Sequence, residues 1–128
     1  MNRIRLILLA SLFSCSFAFA DDTNAIPRIA IIRAKDSDLF YNQTATVTGK
    51  VAQVTIQSKI VFLNLEQPYP DSPFTAVIFA ADTNKFTDLP KLKGQDVGIT
   101  GTVKEYDKKP EIVVTNANQL KILELEKK

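Results

Sequence analysis

The sequence predicts a mainly β protein whose one domain is a five-stranded Greek-key barrel with one short helix between strands three and four. Apolar and polar residues alternate from Ala45 onward, which is the period of β-strands. The period changes to three residues only between Asp82 and Leu92, where Asp82 could cap a helix. The long first and fourth strands carry the mid-strand glycines Gly49 and Gly101. Such strands, with a helix between strands three and four, fit a barrel better than an immunoglobulin-like sandwich.

The N-terminal residues have the pattern of a bacterial secretory signal peptide. Two arginines precede an apolar or small run over Leu6–Ala20, which is shorter than the roughly 20 residues that a membrane-spanning helix needs. The run ends in Ala18-Phe19-Ala20, a signal-peptidase site. We therefore expect cleavage after Ala20 and a periplasmic or secreted protein. In the alternative reading, Leu12–Cys15 is a lipoprotein signal and the protein is lipid-anchored through Cys15.

Charge and composition after that cleavage limit the function classes. Loss of residues 1–20 removes Arg3 and Arg5 and leaves 14 basic and 14 acidic residues, so the mature chain lacks the positive field of a strongly basic nucleic-acid binder. Cys15 is lost as well, and the sequence has no histidine, which excludes thiol chemistry, imidazole catalysis and the usual zinc ligand sets. We expect a non-enzymatic protein without a metal or cofactor.

The mature chain divides into three parts. Residues 21–44 form an N-terminal arm, in which Ile26–Ile32 is either an edge strand or an extended segment and Asp36–Asp38 caps a short helical turn. Residues 45–125 form the barrel, and residues 126–128 are a charged end. The first strand changes its apolar phase after Val51, as a β-bulge would require. The predicted barrel strands are residues 45–56, 59–65, 74–80, 96–106 and 111–115, followed by a closing segment at 120–125.

Four short motifs in these strands carry a family resemblance: Val47-Thr48-Gly49-Lys50-Val51, Val61-Phe62-Leu63-Asn64-Leu65, Ile99-Thr100-Gly101-Thr102-Val103 and Pro110-Glu111-Ile112. The pattern resembles the oligonucleotide/oligosaccharide-binding (OB) fold, in the nucleic-acid-binding domains of the tRNA-anticodon-binding type. It covers about residues 45–122 and is most similar to small exported bacterial versions. The resemblance implies an OB-fold barrel.

In anticodon-binding domains an exposed phenylalanine on the second strand stacks on a base, and the matching residue here is Phe62. The alternation independently places Phe62 on the face opposite Val61 and Leu63. These domains commonly place an acid and a base directly after that strand, whereas Glu66-Gln67-Pro68 keeps the acid and loses the base. Specific reading of an anticodon is therefore not expected.

Aromatic, lysine and uncharged polar side chains on the outer face of the barrel form the candidate ligand-binding set. An aromatic ring stacks any base, and lysines follow the phosphates of a single strand. The leading hypothesis is weak binding of single-stranded DNA or RNA without strong sequence preference, and the alternative is contact with an envelope protein or glycan, which a net charge of zero fits better. The candidates are Lys50, Gln53, Phe62, Asn64, Tyr69, Thr102, Lys104, Tyr106, Lys108 and Lys109.

Each of these assignments has a structural alternative. The N-terminal arm or the Phe40-Tyr41 turn would hide the ring of Phe62 if either packed over it. Lysines at a hairpin tip, such as Lys108, are commonly solvated turn residues, and Tyr69 beside prolines could pack on the barrel rim. The sequence leaves the oligomeric state open.

Overall fold

The computed structural model describes residues 28–124. The predicted signal peptide, its cleavage after Ala20, the alternative anchor at Cys15 and the charged end lie outside the described residues. The α-helix α1 spans Ala80–Thr83, and 3-10 helices span Ala34–Leu39, Leu89–Leu92 and Ala117–Gln119. The strands are β1 (Ala30–Arg33), β2 (Thr44–Gln57), β3 (Ile60–Leu65), β4 (Phe74–Phe79), β5 (Asp96–Thr102), β6 (Lys104–Tyr106), β7 (Lys109–Val113) and β8 (Leu120–Ile122).

The strands form one curled sheet in the order β6-β7-β4-β3-β2-β5-β8, with β1 alongside β2. The β4–β7 and β1–β2 pairs are parallel and the others are antiparallel. Only Val103 separates β5 from β6, although these two strands lie towards opposite ends of the order, so the sheet must curl round to bring them together. No strand pairing within residues 28–124 joins the two ends, and the hydrogen-bonded sheet is not closed.

The mainly β architecture is confirmed, but the predicted count of five strands is too low. The fourth predicted strand is divided at buried Val103, whose N–H donates to the Gln43 carbonyl at 2.9 Å instead of continuing a strand pair. The arm and the closing segment add β1 and β8. In place of one helix over residues 82–92, there is a four-residue α1 and a separate 3-10 helix, with left-handed Asp88 (φ 54°) between them.

The predicted cap at Asp82 is also wrong. Asp82 lies inside α1, where its carboxylate forms a salt bridge with Lys85 at 2.8 Å, and Phe79 is the residue that precedes the helix. Strand side chains fill most of the core, and Leu89 and Leu92 of the 3-10 helix are also buried in it. The largest fully buried side chains are Phe74, Leu63, Leu65, Ile78, Ile99 and Ile112.

The predicted break in the first strand is confirmed and determines which residues face outward. The pairing of β2 with β3 shifts register between Val51 and Gln53. Before the shift, Val47 and Val51 are buried in the core. After it, odd-numbered residues of β2 line a depression on the outer face, as described below.

The described part of the N-terminal arm contains an edge strand, one of the two forms predicted for Ile26–Ile32. Residues Ala30–Arg33 pair in parallel with Ala45–Thr48 of β2. The 3-10 helix that follows is fixed by buried Ser37, whose hydroxyl donates to the Ala34 carbonyl at 2.7 Å. Because Phe62 pairs with Thr55 in the other half of β2, β1 does not cover the Phe62 face.

Across residues 28–124, no helix has the length and apolar character to cross a membrane.

Candidate functional site

A groove of about 530 Å³ lies on the outer face of β2, β3, β4 and β7. The strands supply its floor. The loop between β3 and β4 and the turn between β6 and β7 supply its walls. It is lined by Gln53, Thr55, Gln57, Phe62, Asn64, Tyr69, Ser72, Thr75, Tyr106, Asp107, Lys109, Pro110 and Glu111.

Strand register explains why these side chains share one face. Residues directly opposite each other on paired strands point to the same side of a sheet, and residues two apart along a strand do so as well. The polar row of the floor runs across four strands as Gln53, Asn64, Thr75 and Glu111. The next row contains Thr55, Phe62, Val77 and Val113.

Asn64 holds the polar row together. It is 3% exposed, and its amide nitrogen donates to Gln53 Oε1 at 2.8 Å. Its oxygen accepts from the hydroxyls of Thr75 at 2.7 Å and Ser72 at 3.2 Å. The backbone N–H of Tyr69 also donates to Gln53 Oε1, at 2.9 Å. Asn64 therefore positions the floor and the loop, because its hydrogen-bonding groups are taken up by protein partners.

Three aromatic rings surround this polar row. Phe62 is half-buried in the floor, while Tyr69 and Tyr106 on the walls are 69% and 68% exposed. Lys109 Nζ lies 5.9 Å from the centre of the Tyr69 ring and donates to the Pro70 carbonyl. The two walls therefore meet at this end of the groove, and the rings can stack on a planar ligand.

The charges in the groove do not favour a polyanion. Lys109 contributes the ammonium group, whereas Asp107 and Glu111 contribute two carboxyl groups. Burial raises the pKa of Glu111 above its ordinary value, because desolvation disfavours the charged form. The ammonium of Lys109 is already hydrogen-bonded to a carbonyl. The groove therefore offers aromatic surface and hydrogen-bonding groups more than positive charge.

Six of the ten residues predicted from the sequence line this groove: Gln53, Phe62, Asn64, Tyr69, Tyr106 and Lys109. The other four do not. Lys50 comes before the register shift and pairs with Asp96 of β5, and Thr102 pairs with Thr44. Lys104 lies on β6 directly opposite Glu111 and shares its face without belonging to the groove lining, and Lys108 lies in the turn with φ 66°. Of the four predicted lysines, Lys109 alone belongs to the lining. A ligand-binding role for any of these residues remains a prediction.

Seven residues of the lining are not among those predicted from the sequence. If the alternation of outward residues along β2 is continued past Gln53, it predicts that Thr55 and Gln57 share its face. Residues on β4 and β7 could not be placed, because β4 is apolar on both faces and its register with β7 joins segments distant in sequence. The missed residues are Thr55, Gln57, Ser72, Thr75, Asp107, Pro110 and Glu111.

Solved structures share this fold at low sequence identity. The OBody AM3L09 bound to hen egg-white lysozyme matches with a TM-score of 0.55 and 17% identity, over 77% of this chain and 97% of the OBody. RecG bound to a three-way DNA junction matches with a TM-score of 0.51 and 23% identity, over 75% of this chain. A putative aspartyl-tRNA synthetase from Leishmania major Friedlin matches with a TM-score of 0.50 and 13% identity, over 78% of this chain.

This chain spans 22% of the synthetase and 13% of RecG, so it corresponds to one domain of each. No curated protein matches the chain.

A family model described as "OB-fold nucleic acid binding domain", of the tRNA-anticodon type, matches residues 45–120. That match covers more than half of the sequence and includes every strand of the groove floor. The chain therefore belongs to the family of OB-fold nucleic-acid-binding domains.

Proposed function

We propose that this protein is an exported, non-catalytic OB-fold module that binds single-stranded nucleic acid in the groove, weakly and without strong sequence preference. The observation that carries the proposal is the set of three rings, Phe62, Tyr69 and Tyr106, around one groove in a chain of this family. A base stacked on an aromatic side chain contributes about 1–3 kcal/mol, whatever its identity. Two such contacts amount to about millimolar affinity or modestly better.

The weakness of the proposed binding follows from the charges. Each phosphate neutralised by a protein cation contributes about −0.7 to the logarithmic salt slope of single-strand binding. Lys109 is the cation of the groove lining, and Asp107 and Glu111 oppose it. We therefore expect a slope near −1 or shallower, so that a fourfold rise in salt lowers affinity by only a few fold.

Fluorescence anisotropy of the mature protein, residues 21–128, with labelled oligo-dT and oligo-rU tests the proposal. Titrations at about 20 mM and about 200 mM salt measure the slope. Phe62→Ala should weaken binding by about fivefold or more, the loss of one stacked base. Ile31→Ala is the matched control, because Ile31 is 74% exposed on β1, away from the groove. Absence of saturable binding at low salt, or equal loss in both variants, would overturn the proposal.

The carboxyl groups of the groove favour a second candidate, contact with an envelope protein or glycan. Asp107 and Glu111 repel phosphates but can accept hydrogen bonds from sugar hydroxyls or protein amides. The related OBody is bound to a protein, lysozyme, so this fold is compatible with protein contact.

One double variant separates the two candidates. Asp107→Asn with Glu111→Gln removes two negative charges while keeping the side-chain shapes. Affinity for oligo-dT should rise if nucleic acid is the ligand, since repulsion is relieved. The second candidate would be favoured if the wild-type protein and the double variant bind the oligonucleotide equally or not at all. The wild-type protein would in that case capture an envelope glycan that the double variant does not.

Export is supported by the charged and apolar pattern of residues 1–20. To test export, the full chain is expressed in a Gram-negative host and recovered from the periplasm, and its mass is measured. A chain that begins at Asp21 is expected. Recovery of an intact chain in the cytoplasm would contradict export, and a lipid-modified Cys15 at the N-terminus would establish the alternative anchor.

A further inference from the structure

An apolar strip continues from the groove along β3 and β4. Phe62 lies opposite Val77, and Ile60 lies opposite Phe79. Since residues two apart on a strand share a face, Ile60 and Phe79 lie on the same face as Phe62. Phe79 is 46% exposed and does not belong to the groove lining. The outer face thus has a further exposed aromatic ring, beyond the three that surround the groove.

The groove is open towards this ring. At the opposite end, Lys109 donates to the Pro70 carbonyl and joins the two walls. Towards Phe79, the lining reaches Gln57, which pairs with Ile60. The next row of the face therefore consists of Gln57, Ile60 and Phe79. An extended ligand that lies along the strands would pass over that row.

The spacing of Phe62 and Phe79 suits separated bases. They occupy diagonal positions on an antiparallel pair, which lie about 7–8 Å apart. This is about twice the 3.4 Å rise per nucleotide along one strand of B-form DNA. Two neighbouring bases that each stack on one ring must therefore be separated from each other, as an extended single strand allows.

A further lysine lies at the open end of the groove. The walled end carries both signs, since Lys109 lies there with Asp107 and Glu111. At the Phe79 end, the carbonyl of Lys59 accepts a hydrogen bond from the N–H of Ala80 at 3.1 Å, so Lys59 lies beside the end of β4. Lys59 is exposed and has no ion pair among residues 28–124. Its ammonium group is available to a phosphate beside Phe79.

We propose that the ligand site extends beyond the groove onto Ile60, Phe79 and Lys59, where Phe79 stacks a further base and Lys59 contacts the adjoining phosphate. This inference rests on the proposed function and makes the ligand a single strand of several nucleotides. Bases fill the groove, where two carboxyl groups oppose Lys109, and the backbone gains a further cation outside it. A trinucleotide within the groove therefore lacks contacts that a longer oligomer makes.

Affinities of labelled dT3 and dT9 for four proteins test the extension. Phe79→Ala should raise the Kd of dT9 about fivefold or more, equivalent to about 1 kcal/mol, and that of dT3 less than about twofold. Phe79→Trp should retain dT9 binding, because stacking needs an aromatic ring and not this particular one. Ile56→Ala is the matched control: Ile56 is 56% exposed at the same end of the sheet, but it pairs with the core residue Val61 and so lies on the opposite face.

Lys59→Glu provides a test that does not alter packing, since Lys59 is exposed. It should weaken dT9 binding more at about 20 mM than at about 200 mM salt. If Phe62→Ala weakens both oligomers while Phe79→Ala and Lys59→Glu weaken neither, the extension is wrong and the groove remains the site. If wild-type protein binds neither oligomer, the proposed function and the extension are both wrong.

Discussion

The amide nitrogen of Asn64 donates to Gln53 Oε1 at 2.8 Å, and this bond connects β3 to β2 on the outer face just past the register shift. The same Gln53 oxygen accepts the N–H of Tyr69, so one pair of side chains fixes both the floor of the groove and a wall. Asn64 is one of the candidate ligand-binding residues predicted from the sequence. Its contacts with protein partners give it a positioning role.

Replacement of Asn64 should therefore destabilise the protein. Asn64→Ala leaves the buried hydroxyl of Ser72, which is 2% exposed, without its amide partner, and frees Gln53. Unsatisfied buried polar groups cost about 1–3 kcal/mol, and we expect a loss of that size in the free energy of unfolding by urea. Asn118→Ala, at an exposed position, is the control and should change it by less than about 0.5 kcal/mol. Equal effects would show that the network does not stabilise the fold.

The two mid-strand glycines should differ in their tolerance of a side chain. A Cβ at Gly101 would lie 2.6 Å from Cγ2 of Ile112, which is fully buried. A Cβ at Gly49 would lie 2.8 Å from Oε2 of Glu66, the end of a flexible exposed side chain, and 3.3 Å from Leu65 Cδ1. Gly101→Ala should cost about 1–3 kcal/mol of unfolding free energy by overpacking, and Gly49→Ala less. The reverse order in urea denaturation would contradict this account of the core.

Glu111 should make the stability of the protein depend on pH. Burial raises the pKa of its carboxyl in the folded state, so the folded protein holds this proton to a higher pH than the unfolded chain. The group therefore opposes folding increasingly as pH rises from its usual value of 4.5 through the raised one. Glu111→Gln should raise the melting temperature near pH 7 and leave it nearly unchanged near pH 4. A larger gain at pH 4 would contradict the assignment.

Much of the fold was predictable because alternation and glycine placement are local signals. Gly49 and the phase change after Val51 correctly indicated a bent, bulged strand, and β3 and β4 occupy nearly their predicted residues. The division at Val103 was not predictable, since it arises from backbone bonds to Asn42 and Gln43, about sixty residues earlier.

The site was only partly predictable for the same reason. Phe62 follows from alternation within one strand. Glu111 enters the groove through a parallel pairing of β4 with β7, and Lys50 leaves it through a pairing with β5. Both outcomes depend on long-range register, which a period-2 pattern does not specify.

The most direct test of the central claim is a two-dimensional amide NMR titration of residues 21–128 with dT9. The account predicts that the largest shift changes cluster on Gln53, Thr55, Phe62, Tyr69 and Glu111, which share the groove. Amides on the outer surface of β2 and β5, away from the groove, such as Thr46, Gly98 and Thr100, should change little. Changes concentrated on that second surface, or no changes at millimolar oligonucleotide, would contradict the claim that the groove binds single strands.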